Sequence, residues 1–285
     1  IYTTQNQFIL DFKPQVYFYN ESYFLDGALK YKIFPNSFWG IGNDVPEDAK
    51  EQYSMTSIEL KAAFLKKLPF LYFGFEYYYN NYNITELDSG GILESGTVEG
   101  VTKAATTGIS FVFNIDKRDN NFVPKEGSFI RVDAGFSSKA MGASHSFNKY
   151  KIDYRNYIGL APKTILAVQS YFEFTFGDVP FQAASWYGGA ERARGFFRGR
   201  YIDNHLYVLQ AEVRGQVLPR WTLAAFVTGG NVMDVPDNIF TSYKSTFGGG
   251  VRFKVKRDVD AVLRLDIGFN QFGDSGIYFG VNEAF

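Results

Sequence analysis

The dominant pattern in this chain is an alternation of apolar and polar positions with a period of two residues. In the segment 164–176 the even-numbered positions are mostly apolar and the odd-numbered ones mostly small or polar. The even positions are Leu166, Val168, Ser170, Phe172, Phe174 and Phe176, and the odd positions are Ala167, Gln169, Tyr171, Glu173 and Thr175. Residues 147–160 and 259–270 repeat the pattern. This period is typical of β-strands with one apolar face, and it recurs with almost no helical interruption.

The alternation predicts thirteen strands, many of them ten or more residues long. They lie near residues 6–18, 22–34, 53–66, 69–81, 105–115, 128–137, 147–160, 163–176, 205–217, 220–230, 244–256, 259–270 and 276–285. Strands in soluble sheets usually have about five or six residues, whereas a tilted strand needs about ten to cross a bilayer. The predicted lengths therefore favour a membrane-spanning sheet.

Short turns and long polar loops alternate between the predicted strands. The long loops lie near residues 35–52, 82–104, 138–146, 177–204 and 231–243. Outer-membrane barrels have short turns on the periplasmic side and longer loops outside. Residues 116–127 are an exception, because this longer segment falls among the short turns. The sequence thus predicts an all-β fold, a transmembrane antiparallel β-barrel.

Composition adds a high aromatic content, with 30 Phe, 20 Tyr and 3 Trp among 285 residues. Several of these aromatics lie near predicted strand ends, as in the interfacial girdles of membrane barrels. The formal net charge is −1 and there is no cysteine, so neither a nucleic-acid-binding surface nor thiol chemistry is indicated. The alternative fold is a large soluble β-sandwich, in which the phenylalanine-rich faces would pack against each other.

The predicted strand number is odd, whereas bacterial single-chain barrels have an even number. We therefore expect one or three further strands upstream, so that thirteen visible strands belong to a barrel of 14 or 16. Residues 1–4 would then be the end of such a strand. If one hairpin is miscounted, the barrel would instead have 12 strands. Residues 1–285 are expected to form one barrel domain.

Three segments resemble those of a known family, the BamA/TamA-like outer-membrane barrels, also called the bacterial surface antigen family, and the third of them is the last strand, which ends in Phe285. Ala193, Arg194, Gly195 and Phe196 are similar to the family's Val/Ile-Arg-Gly-Phe/Tyr motif in the sixth extracellular loop, with alanine in place of the branched residue. Asp116, Arg118, Asp119, Pro124 and Gly127 are similar to its Asp-x-Arg-Asp…Pro-x-x-Gly periplasmic turn. Five predicted strands follow the first motif, as in the family's 16-stranded barrels. Nothing in the chain resembles the family's POTRA domains.

The resemblance implies that the loop 177–204 folds back into the barrel lumen. An arginine confined there needs a carboxylate partner, because an unpaired buried charge is costly. The inward face of the strand after the loop offers Glu212 as the leading partner of Arg194, with Asp266 as the second choice. The alternative is a solvated basic loop formed by Arg194, Arg198 and Arg200.

The last predicted strand ends in an aromatic residue, which resembles the assembly signal of outer-membrane proteins. The residues of this C-terminal signal are Phe279, Val281 and Phe285 on the apolar face. Glu283 departs from the signal, because an apolar residue usually stands at that position.

The family resemblance implies insertion or translocation of other proteins across the outer membrane of a Gram-negative bacterium, through a seam between the first and last strands. The expected partners are outer-membrane lipid, client or passenger proteins and periplasmic accessory subunits, but not nucleic acid. No cofactor, metal or catalytic residue is expected. The alternatives are a barrel that anchors or exports a fused or partner domain, a passive pore, and a lipid enzyme.

An enzymatic function has little support in the sequence. The string Gly273-Asp274-Ser275-Gly276 is similar to a serine-protease motif, but it falls in a predicted hairpin loop. Only His145 and His205 could act as a base, and neither has a supporting motif. The chain is therefore interpreted as a non-enzyme.

Overall fold

The computed structural model describes residues 8–102, 104–236, 241–256 and 259–285. Within this part of the chain there are sixteen strands and two short 3₁₀ helices, Glu47–Ala49 and Lys139–Met141. Among the described residues, no helix has the length and apolar character that crossing a membrane requires.

Fourteen strands form one antiparallel sheet, and two short strands pair separately inside a loop. The strands of the sheet are β1 (Phe8–Phe12), β2 (Gln15–Phe18), β3 (Tyr23–Phe38), β4 (Glu51–Lys67), β5 (Tyr72–Leu87), β6 (Ala104–Asp116), β7 (Gly127–Ser137), β8 (Phe147–Ala161), β9 (Thr164–Gly177), β12 (His205–Leu218), β13 (Trp221–Met233), β14 (Lys244–Lys256), β15 (Val259–Asn270) and β16 (Ser275–Val281). The separate pair is β10 (Ser185–Tyr187) and β11 (Tyr201–Asp203).

All thirteen predicted strands are confirmed in the described part of the chain, and each pairs with its neighbour in sequence. The first is divided into β1 and β2, which pair in turn with β3. Pro14 causes the division, because proline has no N–H to donate to the ladder. Residues 6 and 7, and the proposed strand end at 1–4, lie outside the described residues.

The sheet curls around a common interior, so that strands far apart in its order approach each other. After β3, the Asn43 side chain donates to the carbonyl of Ser242, 2.8 Å away and just before β14. A second contact lies on the short-turn side of the sheet. The Glu283 amide, which follows β16, donates to the carbonyl of Phe122 in the turn between β6 and β7 at 3.4 Å. The architecture is therefore a barrel, although β1 and β16 are not paired with each other in the described residues.

The two faces of the curved sheet have opposite chemistry. Outward side chains are large, apolar and exposed, as at Phe75 (54%), Val227 (55%) and Phe247 (59%). Inward side chains are mainly polar or charged and buried, such as Gln169 and Arg252. Since a continuous apolar belt of this kind is unfavourable in water, it fits contact with lipid. The soluble sandwich is excluded, because no second sheet covers the belt in the described structure.

Several strands extend further than predicted on the long-loop side. β3 continues to Phe38 and β5 to Leu87. The additional residues are stabilised by packing against the loops, since the Phe38 and Tyr53 rings contact that of Phe181 at centroid distances of 5.4 and 5.9 Å. Together with Leu93, Val101 and Ile202 they form an apolar cluster.

The prediction for the last strand is wrong over its final four residues, because β16 ends at Val281. Asn282 adopts a left-handed backbone conformation with φ of 66°. This conformation is tolerated by asparagine better than by most residues, and it turns the chain off the sheet.

A lysine on the outward face should impair membrane insertion far more than a lysine on the inward face. We expect Phe172→Lys to cost about 2–4 kcal/mol, because an ammonium would meet hydrocarbon near mid-depth. Gln169→Lys is the matched control, since the Gln169 side chain lies inside, 2.7 Å from the Asp153 carboxylate. The measurement is the folded fraction in lipid vesicles, read as a gel mobility shift. Equal effects would contradict the assignment of the faces.

Candidate functional site in the barrel lumen

The loop between β9 and β12, residues 178–204, runs through the interior and attaches to a succession of wall strands. Near its start, the Ser185 hydroxyl donates to Glu173 of β9 at 3.0 Å. Further along, the guanidinium of Arg192 lies 3.6 Å over the Tyr171 ring. Gln210 of β12 then donates to the carbonyl of Glu191 at 3.1 Å. The loop is therefore held along the wall rather than projecting into solvent.

Arg194 is the central residue of this attachment and has no exposed surface. Its Nη2 donates to Oε2 of Glu212 and its Nη1 to Oδ2 of Asp266, both at 2.5 Å. Its guanidinium also lies 3.5 Å over the Phe226 ring. Both carboxylates proposed from the sequence thus contact the motif arginine simultaneously. The solvated basic loop does not describe Arg194, although Arg198 is exposed.

A second arginine joins the two carboxylates into a network. Arg252 donates to Glu212 at 2.9 Å and also to Asp266. Arg214 donates to the same Glu212 oxygen at 2.8 Å. We refer to this group of four cationic and three anionic side chains as the luminal cluster. Its members are Arg194, Arg214, Arg252, Arg264, Glu212, Asp266 and Glu283. Every carboxylate in it is paired, which is the condition for retaining buried charge.

The backbone of the motif lies directly against the wall because a glycine stands on each side of the contact, one in the loop and one on β15. Gly195 has φ of +122°, and a Cβ there would lie 2.7 Å from the carbonyl carbon of Phe269. On the wall, a Cβ on Gly268 would lie 2.5 Å from the carbonyl oxygen of Arg194. The Gly195 amide donates to the Tyr278 hydroxyl of β16 at 2.8 Å, and Asn270 donates to the Gly195 carbonyl at 3.2 Å.

Ala193 and Phe196 complete the motif. Ala193 has a left-handed φ of 53°, and its carbonyl accepts from the Phe196 amide at 3.2 Å in a tight turn. The Phe196 ring packs on Tyr187 and Tyr201 within the loop, and on Phe272 after β15. This packing places the phenylalanine in an apolar cluster formed half by the loop and half by residues of β9, β12 and β13.

The residues of the predicted periplasmic turn form a compact hydrogen-bonded structure between β6 and β7. Arg118 binds Asp116 through two donors, at 2.8 and 2.6 Å. Asp119 accepts from the amides of Lys125 and Glu126. Pro124 is buried, and Gly127 has φ of +97°, where a Cβ would lie 2.1 Å from a carbonyl oxygen. Each residue of the motif therefore has a role in the turn.

The Arg118 side chain is also the charged centre of this turn. Its burial acts to lower the pKa of the guanidinium, but the hydrogen bonds and attraction from Asp116 outweigh burial and raise that pKa. The guanidinium lies 4.5 Å over the Phe129 ring. Arg118 therefore stays charged and links the turn to the inward face of β7.

The residues of the predicted C-terminal signal are divided between the two sides of the wall. Phe279 and Val281 are 71% and 63% exposed on the outward face. Phe285 is buried inside, in contact with Tyr157 and Ala167. The expectation that Phe285 shares the outward face is therefore wrong, because the chain turns inward at residue 282.

Outside the lumen, Glu99, His145 and Asp178 place their ligand atoms within 4.8 Å of one another. His145 Nδ1 lies 3.0 Å from Asp178, and Lys139 contacts the same carboxylate at 3.2 Å. The hydrogen bond from His145 lowers the pKa of Asp178. Since a lysine already neutralises this carboxylate, the group acts as a polar contact between loops.

The sequence did not predict that Arg252 joins the two carboxylates bound by Arg194. Arg252 lies on the same alternating face of β14 as Gly248 and Gly250, so its inward position was readable from the pattern. A Cβ on Gly250 would lie 1.9 Å from Asp266, and one on Gly248 would lie 2.5 Å from the Phe226 ring. The glycine run therefore provides space for the cluster.

Comparison with known proteins identifies one family and many solved structures of similar fold, two of which are described below. The Omp85 superfamily domain matches residues 3–285. The crystal structure of BamA from Haemophilus ducreyi lacking POTRA domains 1–3 has a TM-score of 0.69 at 12% identity, covering 97% of this chain and 62% of that one. CdiB from Acinetobacter baumannii has a TM-score of 0.60 at 13% identity, covering 97% and 49%. A search of curated proteins gave no match.

The fold is a transmembrane β-barrel, and a loop inside it carries an arginine motif that binds carboxylates of the barrel wall. The chain belongs to the Omp85 superfamily. This membership confirms the family resemblance inferred from the sequence. The chain spans less than two thirds of the length of either similar structure.

Removing the motif arginine should destabilise the barrel strongly. We expect Arg194→Ala to lower the free energy of unfolding by about 3–5 kcal/mol, because Glu212 and Asp266 would lose a buried partner. The measurement is denaturant unfolding in detergent micelles, with protease digestion of the loop. Arg198→Ala is the control, since it removes the same charge from an exposed position of the loop. Equal stability of the two variants would refute luminal pairing.

A methyl group on the wall glycine should displace the loop. We expect Gly268→Ala to cost about 1–3 kcal/mol, because the added carbon would overlap the Arg194 carbonyl. Gly229→Ala is the matched control, since nothing lies within 4 Å of a Cβ at that position of β13. The measurement is again unfolding in micelles. If both variants were equally stable, the close contact between loop and wall would be disproved.

Proposed function

We propose that this protein is an outer-membrane barrel of the assembly or translocation type, which inserts or translocates other proteins through a lateral seam bordered by β16. Membership in the Omp85 superfamily supports this function, as does the similarity of the fold to BamA and CdiB. The membrane is the outer membrane of a Gram-negative bacterium. The partners are client proteins and periplasmic accessory subunits.

The observation that carries the proposal is the place of β16 at the end of the described sheet, with its inward face attached to the luminal loop. This strand pairs with β15 on one side, and the described residues contain no strand on its other side. An edge at membrane depth has backbone donors and acceptors that lipid cannot satisfy. Such an edge favours addition of a strand from another chain. Outward Ile277 and Phe279 would continue the apolar belt into the added strand.

The luminal loop supports this edge from inside the barrel. The Tyr278 hydroxyl, on the inward face of β16, accepts from the Gly195 amide at 2.8 Å. Gly195 is itself positioned by the neighbouring Arg194 and its two carboxylates. The strand is thereby attached to the loop through its inward face, which leaves its backbone edge available for strand pairing.

The same loop argues against a passive pore. Its residues cross the lumen and bury Arg194 completely, so the interior contains protein where a pore would contain water. A high, steady conductance that deletion of residues 190–203 does not change would favour the pore. A catalytic or secreted domain encoded in the same gene would favour a barrel that anchors or exports that domain.

The function is tested by reconstituting the protein in lipid vesicles and adding an unfolded outer-membrane barrel as the client. We expect faster folding of the client than in protein-free vesicles. A photoreactive phenylalanine analogue at Phe279, on β16, should crosslink to the client.

The control is the same analogue at Phe111 of β6, which is also outward and 48% exposed but far from the edge. Crosslinks at both positions would indicate nonspecific contact and contradict the seam at β16. No acceleration of folding would refute the insertion function.

A further inference from the structure

An arginine is fixed on the outward face of the barrel at its short-turn end, where β12 is connected to β13. The Nε group of Arg220 donates to the carbonyl of Lys254 at 2.9 Å, and its Nη2 group donates to the carbonyl of Val255. Its guanidinium lies 4.5 Å over the ring of Phe253, and the Trp221 ring contacts the same phenylalanine at a centroid distance of 4.8 Å. Uncharged groups therefore hold this cation in place.

The charge of Arg220 is not neutralised by the described residues, with which it forms no ion pair. Lys163, in the turn between β8 and β9, is exposed and also forms no ion pair in that part of the chain. The two turns are neighbours, because the Gln216 amide donates to the carbonyl of Lys163 at 2.9 Å. Two positive charges thus lie at adjacent turns. The Nη1 group of Arg220, which makes no hydrogen bond to a described residue, is available to an acceptor.

Large apolar side chains are exposed beside the two cations. They are Leu160, Val217, Leu218 and Trp221. Tryptophan is enriched where the hydrocarbon of a bilayer meets its polar headgroups. Basic side chains at this boundary contact hydrocarbon with their stems and place their charged ends among the headgroups. Arg220 and Lys163 are therefore at the depth of the lipid phosphates.

The distribution of charge along the chain favours anions at this end of the barrel. The five long loops together contain thirteen carboxylate side chains and seven basic ones. The five short turns contain two acidic and five basic residues, and they lie at residues 19–22, 67–69, 161–163, 218–220 and 256–258. An anionic lipid is therefore repelled at the long-loop end and attracted at the short-turn end.

We propose that Arg220, Lys163 and Trp221 form a binding site for the headgroup of an anionic phospholipid in the membrane leaflet at the short-turn end. The phosphate accepts from Nη1 of Arg220, since guanidinium groups bind phosphate oxygens through charge-assisted hydrogen bonds. Lys163 adds a second positive charge, and the acyl chains lie along Trp221 and Leu218. A zwitterionic lipid binds less well, because its own ammonium group comes close to two cations.

The lipid site goes beyond the proposed function, and its test needs no client protein. The chain has three tryptophans. Trp39 is buried, and the Trp186 indole donates to the carbonyl of Phe181 inside the loop at 2.9 Å. Trp221 alone of the three lies on the outward face. Bromine atoms on lipid acyl chains quench a tryptophan that they contact, so quenching in vesicles reports the lipid bound beside Trp221.

The measurement compares two sets of vesicles made of equal amounts of phosphatidylglycerol and phosphatidylcholine, with bromine on the chains of one lipid or of the other. We expect stronger quenching by brominated phosphatidylglycerol, corresponding to a preference of about three- to fivefold, as one basic side chain near an anionic surface provides. Arg220→Gln should abolish the preference, Lys163→Gln should reduce it, and Arg220→Lys, which keeps the charge, should retain part of it.

The matched control is Lys125→Gln, which removes one positive charge from an exposed position in the turn between β6 and β7, at the same end of the barrel. It should leave the preference unchanged. Equal quenching by the two brominated lipids in the unaltered protein would overturn the proposal. An equal loss of preference in Lys125→Gln and Arg220→Gln would also overturn it, because the general surface charge would then be responsible.

Heat-modifiable gel mobility is recorded for each variant to show that the barrel is folded. If Arg220→Gln does not fold, the exposed substitution Lys163→Gln decides the test, and an unchanged preference in that variant would contradict the site. A preference that depends on Arg220 or Lys163 in a protein without insertion activity would support the lipid site and refute the proposed function alone.

Discussion

The arrangement of the lumen depends on the ion pairs that balance the buried charge of Arg194. Arg194 is removed from solvent, where water would otherwise stabilise its guanidinium, so its charge must be balanced by protein. Glu212 and Asp266 provide that balance from two different strands. Arg252 binds both carboxylates in turn. The loop and three wall strands consequently form one electrostatic unit, and loss of any member removes a partner from at least one other buried charge.

This electrostatic unit requires space that only small residues can provide. The motif arginine reaches both carboxylates because its own backbone lies against Gly268. On the neighbouring strand, Gly248 and Gly250 leave room for the Phe226 ring and the Asp266 carboxylate. Glycine weakens a strand, since it adds no side-chain packing and loses more entropy on folding. The strength of β14 and β15 is thus reduced where the luminal cluster is formed.

The strands were predictable because contact with lipid requires an apolar side chain at every second residue. The alternation located all thirteen, and it also placed Glu212 on the inward face. The short pair β10–β11 was not predictable, since each strand has three residues and depends on tertiary contacts inside the loop. The inward turn after β16 was missed for a similar reason. One left-handed residue, Asn282, changes the face of Glu283 and Phe285, and no periodic pattern records such a change.

The distribution of interactions around β16 differs from that of an interior strand. One of its edges is bonded to β15, its inward face is tied to the loop through Tyr278, and its other edge has no partner among the described residues. The luminal cluster therefore lies directly behind the strand that ends the described sheet. A strand that accepts and releases a partner needs a fixed register together with unsatisfied backbone groups. The luminal loop fixes the register of β16 through its inward face and leaves the backbone edge of that strand available for pairing. The position of the luminal cluster behind β16 therefore matters as much as the stability that the cluster provides.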